Sequence, residues 1–297
     1  MTIAMLHSDE QVSISRLCTV LEVSRSQFYR KVKHMRDYRV REEARQTLRP
    51  FAERAEALAR QYPFYGHRKI HALLRREGYA VSRYQVYTFL KDKHLCLPST
   101  WRKDLREHSR ARKQYLTRPD KPLELLQADF THVPVENYGM YYVCDIIDYF
   151  SKYTLVTLWS ATHDAAALIT ACNEALAEAQ RLGLEIPEKI KLLTDNGPAM
   201  ISRRFARYIA QSPFVHLRTG NHHPETNGCI ERFHQTLKYE EVWGAMYENP
   251  LIAKERIETF RTTYNTERIH QTLNYKTPME VIEEYKQQSQ ITYSNVV

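Results

Sequence analysis

Apolar residues at Ile14, Leu17, Cys18 and Leu21 recur with the spacing of one helix face. Ile70, Leu73 and Leu74 do the same within Arg68 to Arg76, and Gly78 then fits a helix stop. Each stretch leads into a similar sequel. Val23-Ser24-Arg25-Ser26-Gln27-Phe28-Tyr29 echoes Val81-Ser82-Arg83-Tyr84-Gln85-Val86-Tyr87. In both, Ser precedes Gln by three residues, the pattern of a capping box that opens a second helix. Two helix-turn-helix units are predicted, over 1–35 and 61–98, each with a second helix shaped to enter a major groove. Charged helix formers between them predict a connecting helix over 36–60.

After Pro122 the period changes. Leu125 to Val133, Tyr141 to Ile147 and Tyr153 to Trp159 are rich in β-branched and aromatic residues and read as strands. Asn137-Tyr138-Gly139 supplies the first turn. His163 to Leu182 reads as an amphipathic helix, Lys189 to Thr194 as a fourth strand, Ser202 to Ala210 as a helix and Phe214 to Leu217 as a fifth strand. A polar loop, Thr219 to Asn227, precedes a helix from about Gly228 to Val242. A meander followed by alternating helix and strand gives an α/β fold, a mixed sheet with helices on its faces, over 123–245. A helical extension follows over 246–297, with a helix over Leu251 to Tyr264 and another started by Thr277-Pro278 and running over Met279 to Tyr285.

Charge divides the chain the same way. Residues 1–120 hold 26 Lys/Arg against 13 Asp/Glu, a net of +13; residues 121–297 hold 17 against 22, a net of −5. Seven Lys/Arg between Trp101 and Arg118, Arg102 and Lys103 among them, mark a basic linker over 99–122. A basic front and an acidic back fit a polyanion-binding part joined to a catalytic part. In the second helices Arg25, Arg30 and Lys31, and Arg83, are the candidate DNA contacts, together with Arg102 and Lys103. The five cysteines are scattered and form no Cys-x-x-Cys pair, as in a reduced chain. No apolar run approaches membrane-span length, and the first residues lack a signal pattern. The expected location is cytoplasmic and nucleoid-associated, with no membrane partner. His67, His71 and Cys96 do not complete a His-His-Cys-Cys set, because Pro98 and Ser99 stand where the second Cys would fall; no zinc is expected.

Three acids carry the candidate chemistry. Asp129 lies mid-strand, where an isolated carboxylate is costly to bury. Asp195 directly follows an apolar strand, a frequent ligand position in open α/β sheets. Glu231 comes 35 intervening residues later, on a helix. Alone, Asp195 reads as a turn residue and Glu231 as a solvated helix residue. Together the three form a set that can hold two divalent ions for phosphoryl transfer. Glu231, Gln235 and Lys238 fall on one helix face, so Gln235 and Lys238 are further candidates to meet a DNA end. Asp145 and Asp148 are rival carboxylates, read as structural, and His222-His223 as solvated loop residues.

In order along the chain stand Gln127-Ala128-Asp129-Phe130-Thr131, Asp145-Ile146-Ile147-Asp148-Tyr149-Phe150-Ser151, Thr194-Asp195-Asn196-Gly197, Asn227-Gly228 and Glu231-Arg232-Phe233-His234-Gln235-Thr236-Leu237-Lys238. Tyr264-Asn265-Thr266-Glu267-Arg268-Ile269-His270-Gln271-Thr272-Leu273 and Thr277-Pro278 complete the series, and Tyr65-Gly66-His67-Arg68-Lys69-Ile70 precedes it. As an ordered set, these pieces over about 123–285 resemble the integrase catalytic core of DDE transposases and retroviral integrases, above all the IS3-type insertion-sequence transposases. Phe130-Thr131-His132 departs from the Ile-Thr-Tyr that often follows the first Asp.

The resemblance implies an RNase H-like core and an Asp129, Asp195, Glu231 catalytic and metal-binding triad. It also implies two Mg²⁺ ions per site, with Mn²⁺ able to substitute, and a basic residue at Lys238. The implied activity is metal-dependent 3′-end cleavage at transposon ends and strand transfer into target DNA, by a homo-oligomer on DNA. An RNase H-like nuclease without joining, and a domesticated DNA-binding regulator, are the alternatives. The resemblance leaves open whether an upstream frame is fused; Ile14 to Val32 shows no heptad run.

Overall fold

The computed structural model describes residues 18–19, 24–27, 50–96, 119–219 and 227–294, without the side chains of 290–294. Two compact units divide the chain, Met1–Leu97 and Pro98–Val297.

In the first unit, three ten-residue helices enclose one small core: α1 (Ala52–Gln61), α2 (His67–Arg76) and α3 (Arg83–Asp92). Leu58, Ile70, Leu74, Val86 and Leu90 are buried between them. Gly78 turns the chain after α2 with φ +89°, a conformation glycine adopts without Cβ strain. The Tyr79 amide donates back to the Leu74 carbonyl at 3.0 Å and closes the helix end. Ser82 and Gln85 form the full capping box that starts α3. Ser24 and Gln27 form the same reciprocal pair of hydrogen bonds. The remainder of the first predicted helix-turn-helix, most of the connecting helix and the basic linker lie outside the described residues. His71 lies 3.0 Å by Nε2 from the Val81 carbonyl, and His67 packs edge-on to Tyr87.

The second unit is built on five strands, β1 (Leu125–Val135), β2 (Gly139–Asp148), β3 (Thr154–Ser160), β4 (Ile190–Thr194) and β5 (Phe214–Arg218). Their order is β3-β2-β1-β4-β5. The first three pair antiparallel as a meander; β4 and β5 add on parallel to β1. Asn137 and Gly139, both at positive φ, make the β1–β2 turn. This mixed sheet with helices on both faces is RNase H-like.

Alternation along the strands assigns the two faces. Leu126, Ala128, Cys144, Ile146 and Leu192 pack under α4 (Ala165–Arg181), through Leu168, Ala171, Cys172 and Ala175. Asp164 caps α4 by accepting from the Ala166 and Ala167 amides. A short helix, α5 (Arg203–Ile209), joins β4 to β5. On the opposite face Val133, Val135, Val143 and Ile147 meet Ile230, Phe233 and Leu237 of α6 (Gly228–Leu237). Burying each such side chain contributes roughly 1.5–3 kcal/mol. Two more helices follow, α7 (Pro250–Thr266) and α8 (Pro278–Ser294). Asn265 of α7 is buried and clamps edge strand β3, accepting from the Thr154 amide at 2.9 Å and donating to its carbonyl at 3.0 Å.

Two elements differ from expectation. The predicted helix from Gly228 to Val242 is α-helical only to Leu237, and Lys238–Val242 forms a π-helical turn. The apolar stripe steps by five from Leu237 to Val242, and the wider turn keeps Val242 buried. It also lets Glu240 pair with Arg268 and Glu241 with Arg256. The last helix, predicted to end at Tyr285, runs on to Ser294.

Candidate active site

Three elements of the second unit deliver the candidate acids. Asp129 lies on β1, on the face opposite α4, in line with buried Gln127 and Thr131. Its Oδ1 accepts from the Phe130 amide at 2.8 Å. Asp195 follows the last residue of β4. The parallel pairing of β1 and β4 ends at Gln127 and Leu193, so both acids stand two residues beyond the final pair. Asp195 Oδ1 accepts from the Gly197 amide at 2.9 Å, and a Cβ on Gly197 would come within 3.1 Å of the same oxygen. The absence of a side chain there is what lets the turn close on the carboxylate.

Glu231 is in the first turn of α6 and exposed. Asn227 gives that helix no side-chain cap. Gln127 supplies the acceptor instead: its Oε1 takes the Ile230 amide at 3.0 Å. One turn on, His234 is buried with Nε2 2.9 Å from Asp145 Oδ2 and Nδ1 3.6 Å from Asp129 Oδ2. Strands β1 and β2 therefore hold α6 at two points, on either side of Glu231, through Gln127 and Asp145.

Electrostatics follow this geometry. Burial pushes the Asp129 carboxyl up to about 6; His234 opposes the rise, and the Asp195 and Asp145 carboxylates add to it. Although its side chain reaches solvent, the protein packed around its base desolvates the Glu231 carboxyl and raises it, against the pull of His234. Among the described residues no group of three or more His, Cys, Asp or Glu is gathered closely enough to hold a metal ion. Carboxylate oxygens are nevertheless the donors a hard divalent cation takes.

Of the other predicted site residues, Gln235 is exposed and Lys238 half-buried at the start of the π-helical turn. Arg25 and Arg83 are exposed, each in the first turn of its capped helix. Arg30, Lys31, Arg102, Lys103, His222 and His223 lie outside the described residues. Asp148 is buried and structural: it accepts from the Leu123 amide and from the Ser151 amide and hydroxyl. The sequence did not single out Gln127 or His234, nor Tyr84 and Tyr87, which stand exposed on α3 beside Arg83. Tyr84 and Tyr87 are three residues apart, neighbours on one side of the helix, and that spacing was a usable signal.

No described helix is long and apolar enough to cross a membrane. The chain is 25% identical over 273 residues to the 31.7 kDa protein of insertion element IS407 from Burkholderia multivorans, covering 91% of each. It is 28% identical over 162 residues to the transposase of insertion sequence IS904 from Lactococcus lactis, 54% of this chain and 61% of that one. A relative from Spiroplasma virus SpV1-C74 is 25% identical over 197 residues, and the chain spans only 54% of its length. Among solved structures, the simian T-cell lymphotropic virus intasome aligns with a TM-score of 0.46 and 19% identity, over 75% of this chain and 73% of that chain. The HTLV-2 integrase catalytic core aligns at 0.40 and 20%, over 54% and 97%. Family matches are an HTH-like domain over 49–103 and, twice, an integrase core domain, over 119–224 and 215–278. With the two core matches running together across more than half of its residues, behind an HTH-like domain, this chain belongs to the integrase-core family that includes insertion-sequence transposases.

Proposed function

We propose that the chain is a DNA transposase that cleaves transposon ends to leave 3′-hydroxyls and joins them to target DNA. The observation that carries this reading is the double tie of α6 to the sheet. Gln127 of β1 holds the Ile230 amide and Asp145 of β2 holds His234, so Glu231, between the two, is kept beside the strand that bears the first acid.

Asp129, Asp195 and Glu231 would hold a pair of divalent cations, Mg²⁺ or Mn²⁺, by carboxylate oxygens. When bound, such ions activate the attacking oxygen and support the leaving one. In the first step water attacks a phosphodiester and the bond to the 3′-oxygen breaks, leaving a 3′-hydroxyl and a 5′-phosphate. In the second that hydroxyl attacks a target phosphodiester and displaces another 3′-oxygen. Bond count is conserved in the second step, and neither passes through a protein–DNA bond. Lys238 and Gln235 meet the DNA end beside the acids. The exposed tyrosines of α3 dock the end sequence, with Arg83, Arg25, Arg30, Lys31, Arg102 and Lys103 as phosphate contacts. Domain roles follow the charge division: DNA binding in front, chemistry behind, and a homo-oligomer to bring two ends together.

The test is a labelled end-DNA reaction with Mg²⁺, comparing wild type with Glu231→Gln. Joined products from wild type alone are expected. Equal products from both would overturn the assignment, and cleavage without joining would replace it with a nuclease.

A further inference from the structure

Strands β1 and β2 set two carboxylates against each other. Asp129 and Asp145 are direct cross-strand partners on the face that meets α6, and like charges in that position repel. Asp145 is fully buried, and its Oδ1 has no hydrogen-bond partner. A buried carboxylate in that state is costly unless its other oxygen is well held. His234 enters between the two acids. Its Nε2 is 2.9 Å from Asp145 Oδ2, a short charge-assisted contact in which the ring nitrogen donates. Its Nδ1 is 3.6 Å from Asp129 Oδ2, beyond hydrogen-bond range but in direct contact. The other Asp129 oxygen is already taken by the Phe130 amide. Both oxygens of Asp129 therefore have fixed neighbours.

We infer that His234 is a positioning residue for the Asp129 carboxylate and that Asp145 is the lock that fixes its ring. The inference rests on the reading of Asp129 and Glu231 as cation donors. The arrangement has the form of the outer contacts that orient metal-binding carboxylates. It also couples the two acids mechanically. His234 lies three residues after Glu231 on the same helix, so the contact that orients Asp129 also sets the rotation of α6. A purely structural histidine would need only its bond to Asp145; the second nitrogen, turned to Asp129, is what that role leaves unexplained.

The test measures Mn²⁺ affinity by electron paramagnetic resonance on the full chain, with a thermal melt of each variant. In His234→Gln the amide reaches the Nε2 position and keeps a donor for Asp145, but nothing stands where Nδ1 was. This variant should melt near wild type and bind Mn²⁺ about 10- to 100-fold more weakly. Asp145→Asn retains an acceptor for Nε2 and should keep wild-type affinity, whereas Asp145→Leu removes the lock and should weaken binding as His234→Gln does. Wild-type affinity in His234→Gln, or equal affinity in the two Asp145 variants, would overturn the inference. Asp129→Asn is measured alongside. If it retains Mn²⁺, the donor reading fails and the inference with it; if it loses Mn²⁺ while His234→Gln does not, only the positioning role fails.

Discussion

Gln127 and Ile230, 103 residues apart in sequence, are joined by a 3.0 Å hydrogen bond from the Ile230 amide to the buried Gln127 side-chain oxygen. The amide is one of the donors that a helix N-terminus leaves without an intrahelical partner. Gln127→Leu would leave it buried and unpaired, at a cost of about 1–3 kcal/mol. Melting should fall by about 2–4 °C for each kcal/mol lost. Because Glu231 is the next residue, strand transfer should fall further than stability does. Chemical denaturation and the end-joining reaction, run on the same preparation, check both.

Gly197 should be intolerant of even one methyl. Its Cβ would come within 3.1 Å of Asp195 Oδ1, the oxygen its own amide holds. Gly197→Ala is expected to move that carboxylate by a few tenths of an ångström and lower cleavage about 10-fold or more. Stability should change by less than about 1 kcal/mol, since the site is at the surface end of β4. A loss of activity that merely tracks a loss of folding would contradict this.

The elements that the sequence revealed and those it hid differ in physical kind. Local signals worked: the Ser82–Gln85 capping box, Gly78 after α2 and the alternation along β1 all act within a few residues. Asp129, Asp195 and Glu231 stand out as candidates only through the ordered motif, since each alone resembles an ordinary strand, turn or helix residue. Gln127 and His234 were not, because their partners lie 103 and 89 residues away and no period in the sequence points across that distance. The π-helical turn was half legible. The five-residue step from Leu237 to Val242 is visible in the sequence, but a helix of uniform pitch absorbed it.

Arg83 and Tyr84 should separate two kinds of DNA contact. Both are exposed, Tyr84 at 74%, in the first turn of α3. Arg83→Ala should weaken binding to every DNA sequence alike and reduce the salt slope by about one. Tyr84→Ala should instead narrow the preference for end DNA over random DNA, by about 1–3 kcal/mol if the ring meets a base edge. Fluorescence anisotropy across a salt series on both DNAs distinguishes them. Neither change should shift melting measurably, because neither side chain packs in the core.

Glu178 should give the core unit an acid-sensitive stability. Its carboxylate accepts from Tyr153 Oη at 2.8 Å and from two Arg181 nitrogens at 2.7 and 2.6 Å. Burial alone would raise the carboxyl, but the Arg181 and Tyr153 bonds together outweigh it and hold the group below the ordinary range. A carboxyl lowered in the folded state stabilises above its unfolded value, about 4.3, and loses that contribution as pH falls through the folded value. Glu178→Gln removes the charge and should cost only about 1 kcal/mol at neutral pH, since Arg181 is largely exposed and screened. The gap in melting temperature between wild type and Glu178→Gln should therefore be full at neutral pH. It should narrow once the pH drops below about 4. A gap that stays constant through that range would show that the pair is held by packing rather than by charge.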